Sequence, residues 1–256
     1  MTNHAELLMV GMSAKTYRID NRVVRVCNVH PEDLAITEQN LVSCETEALV
    51  YRILGEHPRI ARCLSSNPPE GWIELEFYPN GNLKAYLERK DSSISEADKK
   101  RWFIQMIESV SYLHSKGVRH GDLRLEQWLL DNDENVRLSD FNGSGFDAQP
   151  TLALKGRPAL GLECSSHWLP RPNDVDSSEQ TDLFALGSSL YELVAGEKPF
   201  EKMDDETIET RFGQAIFPNT EGLLFGGEIA KCWHQGFENG EELLKAVTNT
   251  LSRTQA

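Results

Sequence analysis

The sequence is poor in cysteine, in long uncharged runs and in local concentrations of positive charge. Its five cysteines, Cys27, Cys44, Cys63, Cys164 and Cys232, are odd in number among 256 residues and never fall in a C-x-x-C spacing. That excludes a disulfide framework or a zinc ribbon as the organising device, and the thiols are expected to be reduced and mostly buried. No charge-free stretch exceeds nine residues, the longest being 183–191 and 212–220, far below the roughly 20 apolar residues of a membrane-crossing helix. The opening MTNHAELLMVG has neither the basic flank nor the apolar segment of a secretory signal. The expectation is a soluble cytoplasmic or nuclear protein with no membrane partner. Acidic side chains outnumber basic ones by 40 to 26, a net charge of −14. Such a surface repels phosphate backbones, and with no basic patch to offset it no nucleic-acid partner is expected. The excess is spread over the chain: residues 1–79 carry 7 basic and 11 acidic groups, residues 80–256 carry 19 and 29.

What is present divides in two. Residues 15–19 and 22–27 read as strands around the turn-forming Asp20-Asn21, and a helical pattern follows over about 37–54. A second apolar run, 72–77, stops at Pro79-Asn80-Gly81, turn chemistry that ends a strand and marks a seam. Beyond Asn82 the signals are helical. The clearest helix spans 95–115, with Ser95 and Asp98 as a capping pair, Gly117 as its stop, and Phe103, Met106, Ile107, Val110 and Leu113 on one face. A second, 182–194, carries Leu183, Leu186, Leu190 and Leu193, and 204–256 read as further amphipathic helices. Strands with one helix, then a larger helical part, make an α+β chain with two lobes, 1–79 and 80–256.

The segment VRHGDLRLEQWLLDNDENVRLSDFNGSG sets a loop dense in His, Asp and Gln between the 95–115 helix and a hairpin that turns at 131–135. Asp122 precedes the hairpin and Asp140 follows it 18 residues later, so the hairpin can fold both carboxylates towards one point. Two such acids suit a metal-dependent or base-assisted reaction.

LHSKGVRHGDLRLEQWLL resembles the catalytic loop of eukaryotic protein kinases, H-R-D-L-x-x-x-N, and LSDFNGSG resembles their metal-binding D-F-G segment. The likeness continues in family order through ETEALVYRILGEHPRIARCL, WIELEFYPNGNLKAYL, TDLFALGSSLYELVAGEKPF and GEIAKCW, and its nearest flavour is the divergent kinase-like proteins of fungi. It implies a bilobal protein-kinase-like fold that binds ATP and Mg²⁺. By the same likeness Asp122 would accept the proton of a substrate hydroxyl, and Asp140 with Gln127 would hold the metal. Glu47 would pair with a strand cation and is preferred over Glu45. Val23 and Leu129 would sandwich the adenine, Glu76 to Tyr78 would supply hinge backbone groups, Gly11 would lie over the phosphates, and Asp182 would brace the catalytic loop from below. His120, Trp128 and Trp168 are read as packing residues.

Several positions depart from the family. Arg25 stands where the strand lysine belongs, with a bulkier, planar cation. Gln127 replaces asparagine, which moves the amide oxygen by roughly 1.3–2.5 Å. Gly11 is alone in a loop that should be glycine-rich, Asn142 replaces the D-F-G glycine, and CSSHWLPRP replaces A-P-E. Gly121 replaces the catalytic-loop arginine, so control by a phosphorylated activation loop is not expected. Lys15, in AKTYR, resembles the lysine of with-no-lysine kinases and is an alternative source of the phosphate cation, its direction depending on strand register. The leading expectation is phosphoryl transfer from ATP to a protein Ser/Thr hydroxyl. A pseudokinase serving as scaffold or regulator of a protein partner stands close behind. An aminoglycoside-type phosphotransferase, whose loop also reads H-G-D, is disfavoured by the 181–200 segment.

Overall fold

The computed structural model describes residues 5–90, 94–172 and 174–254; the first four residues of the opening segment lie outside it. Five strands, β1 (Glu6–Val10), β2 (Ala14–Ile19), β3 (Arg22–Cys27), β4 (Cys63–Asn67) and β5 (Trp72–Glu76), form one antiparallel sheet in the order β1-β2-β3-β5-β4. Helix α1 (Leu34–Leu54) packs on β3, β4 and β5. It begins earlier than the 37–54 pattern because Asp33 caps it, its carboxylate accepting from the Ile36 N–H, while Thr37 bonds back to His30.

The second part is built on α2 (Leu83–Lys90), α3 (Glu96–Ser115), α4 (Glu179–Ala195), α5 (Asp205–Gly213), α6 (Gly226–Trp233) and α7 (Gly240–Thr254). After α3 come β6 (Val118–Arg119) and the hairpin of β7 (Trp128–Leu130) and β8 (Val136–Leu138), and β9 (Gly145–Phe146) pairs with β6. Ser95 caps α3 by accepting from the Asp98 N–H, and the five apolar residues of its inner face are fully buried. Each such side chain contributes on the order of 1.5–3 kcal/mol. Helix α4 starts at Glu179, three residues before the apolar pattern begins, because Ser178 and Thr181 form a capping box. Among the described residues no helix is long and apolar enough to cross a membrane.

One expectation is overturned. Cys27 and Cys44 are joined as a disulfide between β3 and α1, leaving Cys63, Cys164 and Cys232 free. The two cysteines lie 17 residues apart in sequence, and it is the packing of α1 on β3 that brings their Cα atoms to 6.4 Å.

Candidate active site

The base of the cleft is the loop between β6 and β7. Asp182, fully buried on α4, accepts from the backbone N–H of His120 (2.8 Å) and of Gly121 (3.0 Å) and lies 2.9 Å from His114 Nε2. Burial alone would raise its pKa; the hydrogen bond and charge of His114, with the Gly121 N–H, outweigh that and hold it below the usual aspartate value. His120 is fully buried, which lowers its pKa, and its Nε2 donates to the Ser139 carbonyl at 3.0 Å. It is a neutral brace and not an acid–base group.

On that base sits Asp122, 8% exposed. It accepts from Gln127 Nε2 at 3.0 Å and from Arg124 at 3.2 Å. Burial, helped by the nearby charges of Asp140 and Glu163, pushes its pKa up to about 7 against the opposing pull of Arg124. Asp140 follows β8 with a left-handed backbone (φ 67°), a conformation aspartate tolerates better than most residues. Phe141 beside it is fully buried, edge-on to Tyr51 of α1 with ring centres 5.0 Å apart.

Arg25 closes the site from above. Its Nη1 donates to Glu47 Oε1 at 2.8 Å and to Asp140 Oδ1 at 2.7 Å, so one guanidinium nitrogen joins β3, α1 and the segment after β8. The register explains why. Thr16, facing Arg25 across the strands, and Arg25 itself are buried, whereas Lys15 and its partner Val26 are exposed. Burial penalises the Arg25 charge, but Glu47 and Asp140 more than offset this and raise its pKa. For Glu47 burial dominates and lifts the carboxyl above its usual range against the pull of Arg25. Asp140 goes the other way: burial would raise it, and Arg25 holds it below the ordinary aspartate value.

The structure therefore brings Arg25, Glu47, Asp140, Asp122 and Gln127 into one bonded and electrostatically coupled group. Lys15 is set apart from that group, exposed at the register position opposite Val26 and in a surface pocket with Met12, Tyr17 and Val29, so it makes none of the contacts that Arg25 makes. Glu45 is also resolved from Glu47: it pairs with Arg157 at 2.8 Å. Gly11 donates to the Ala14 carbonyl (2.9 Å), closing a turn whose carbonyls at Gly11 and Met12 accept from Asn28. Asn142 reaches Ser13 in that turn at 3.3 Å. Val23 lies beside Leu75 of β5 and Leu129 sits on β7, both half-buried. After β5 the Phe77 N–H goes to the Asn21 carbonyl, the Tyr78 hydroxyl accepts from the Arg62 N–H, and the same hydroxyl donates to Glu76 at 3.4 Å.

Sequence reasoning missed four arginines. Arg18 lies 4.0 Å over the Phe77 ring, Arg124 touches Asp122, and Arg157 touches α1. Arg171, in the replacement for A-P-E, pairs with the buried Glu163 at 3.1 Å. The inward parity of Arg18 with Thr16 was a usable signal; the others depend on loop paths that no periodicity encodes.

The oxygen chemistry at the base suits a hard cation shared with phosphates. Gln127 spends its amide nitrogen on Asp122 and Asp140 spends one oxygen on Arg25, which leaves an amide oxygen and a carboxylate oxygen. Mg²⁺ is commonly held by one or two such protein oxygens, with phosphates and water completing the octahedron. Among the described residues, buried Thr16 Oγ1 and Arg25 Nε have no hydrogen-bond partner, a polar lining that a phosphate-bearing ligand fits.

The protein kinase domain model matches residues 15–221. The CBL-interacting serine/threonine-protein kinase 8 of Arabidopsis thaliana is 33% identical over 170 residues, 64% of this chain and 37% of the relative. The CBL-interacting protein kinase 24 of Oryza sativa subsp. japonica is 32% identical over 184 residues, covering 69% and 39%. The human NUAK family SNF1-like kinase 1 is 29% identical over 199 residues, covering 75% and 29%. The chain thus spans well under half the length of these relatives.

Proposed function

The chain belongs to the protein kinase domain family, and from that premise we propose that it binds ATP in the cleft between sheet and helices and transfers the γ-phosphoryl group to a protein Ser/Thr hydroxyl. The observation that carries this reading is the single Arg25 nitrogen joining Glu47 and Asp140, because the family's chemistry requires strand cation, helix acid and metal-binding acid to be assembled together. Asp122 accepts the hydroxyl proton; a base with a pKa of about 7 is matched to neutral conditions. Arg25 and Arg124 orient the phosphates, and Glu76 to Tyr78 with Val23 and Leu129 hold the base. Asp140 and Gln127 would hold Mg²⁺, which supplies neutralisation of the β- and γ-phosphate charge.

A second reading, a pseudokinase that binds a protein partner without transfer, is favoured by one observation: Arg25 occupies an Asp140 oxygen that metal coordination draws on. The two readings separate in one experiment. ATP titration by calorimetry with and without Mg²⁺, followed by a radiolabel transfer assay on generic protein substrates, gives metal-dependent binding and Asp122-dependent transfer for the kinase. Nucleotide binding without transfer identifies a nucleotide-binding pseudokinase, and no binding at millimolar ATP rejects the kinase and leaves a nucleotide-free pseudokinase.

A further inference from the structure

The family's usual link between a phosphorylated activation segment and the catalytic machinery runs through the arginine that this chain replaces by Gly121. The backbone there has φ +73°, and a Cβ would meet the Ala159 Cβ at 3.1 Å, so the position is built for glycine. A different cation faces α1 from the segment after Asp140. The Arg157 backbone is fixed by reciprocal N–H to carbonyl bonds with Phe146 of β9, both 2.8 Å. Its Nη2 donates to the Glu45 carboxylate at 2.8 Å, and its Nη1 donates to the Thr46 hydroxyl at 2.5 Å and the Val42 carbonyl at 3.4 Å. Thr46 also donates to the Val42 carbonyl at 2.8 Å, so the guanidinium fork caps one closed turn of the helix.

Glu47 is two residues along the same helix. Helix α1 is therefore held on one side by Arg25 of β3 and on another by Arg157 of the activation segment. We propose that Arg157 is a positioning residue that locks α1, and with it the Glu47–Arg25 pair, without any phosphorylation of the activation segment. Its effect on nucleotide binding rests on the kinase reading above; its effect on α1 does not. The Arg157–Glu45 charge pair is partly exposed, at 30% and 47%, so its Coulomb energy is screened. The geometry resides in the fork, which reaches carboxylate, hydroxyl and carbonyl together as a lysine cannot.

The test is hydrogen exchange over residues 42–50 of the full chain, with ATP affinity measured in parallel. Phosphatase-treated protein is expected to keep the protection of the untreated chain. Arg157→Ala and Glu45→Ala are each expected to speed exchange there by roughly five- to tenfold, with no larger effect when combined. The charge swap Arg157→Glu with Glu45→Arg is expected to restore part of the protection. Should Arg157→Ala fail to fold, Arg157→Lys, which keeps the charge and loses the fork, is expected to give an intermediate rate. Unchanged exchange in the folded Arg157 variants, or a phosphatase-treated chain that exchanges as fast as Arg157→Ala, overturns the proposal. ATP affinity is expected to fall several-fold in step with faster exchange. Faster exchange in a chain that binds no ATP even as wild type upholds the lock and rejects the nucleotide reading alone.

Discussion

The floor and the roof of the cleft are made to different standards. The floor hangs on Asp182, a fully buried carboxylate with two backbone N–H groups and one imidazole around it. The roof begins with β1, every residue of which is exposed, and continues into a turn with the single Gly11. The family match itself starts at residue 15, beyond β1 and Gly11. A buried charge leaves no slack, because each lost partner exposes the full desolvation cost. A solvated edge strand can vary at little expense. The chain thus keeps the family's bracing aspartate where burial enforces it, while its departures fall both on the solvated β1 edge and at buried positions, Arg25, Gln127 and Gly121, where the substituted residue finds its own partners or fits the backbone.

Substitutions can break or sharpen that contrast. On the floor, Asp182→Ala is expected to cost about 3–5 kcal/mol in urea unfolding, since it strips a satisfied buried charge from its partners. The depressed pKa of Asp182 means its contribution is present above the unfolded-state value of about 3.9 and is lost only as pH falls below that. A variant that unfolds like wild type would show the floor is no better built than the roof.

Next comes Asp122→Asn, expected to lower phosphoryl transfer by about 10²–10⁴-fold while ATP affinity holds. For wild type, transfer should rise with pH towards about 7 and then level off, because the base must be deprotonated; a flat profile from pH 5.5 to 8 would contradict that role for Asp122.

Gly121→Arg, which restores the family residue, is expected to destabilise the fold by about 1–3 kcal/mol because of its left-handed backbone and the Ala159 contact. Thermal unfolding checks this, and a gain in stability would mean the loop relaxes freely. At the roof, Lys15→Ala is expected to leave calorimetric ATP affinity within about 0.5 kcal/mol of wild type, whereas Arg25→Ala should lower it clearly. Equal losses from the two would return Lys15 to the site.

The floor was readable because its signals are local. The Ser95 cap, the apolar face of Phe103 to Leu113 and the Asp122 to Asp140 spacing each lie within a short stretch of chain, and chain geometry carries them directly into structure. The direction of Lys15 was not readable, since a single-residue change of register reverses a strand's faces and only the pairing of Thr16 with Arg25 fixed it. The Cys27–Cys44 bond was missed for a related reason: it depends on how a helix packs on a strand, which neither spacing nor composition specifies.

By itself the sequence determined the order of the main elements, the Ser95 cap of α3 and, through its resemblance to a family, Asp122, Asp140 and Glu47 as the candidate acids of the site. The first two follow from propensity and periodicity, the acids from motif positions that the resemblance supplies. The tertiary structure alone decided which of Arg25 and Lys15 faces those acids, that Glu45 answers to Arg157 while Glu47 answers to Arg25, and that Arg171 pairs with Glu163. Each of those is a contact between segments far apart or irregular in path, and its partner is chosen by packing and charge once the chain has closed.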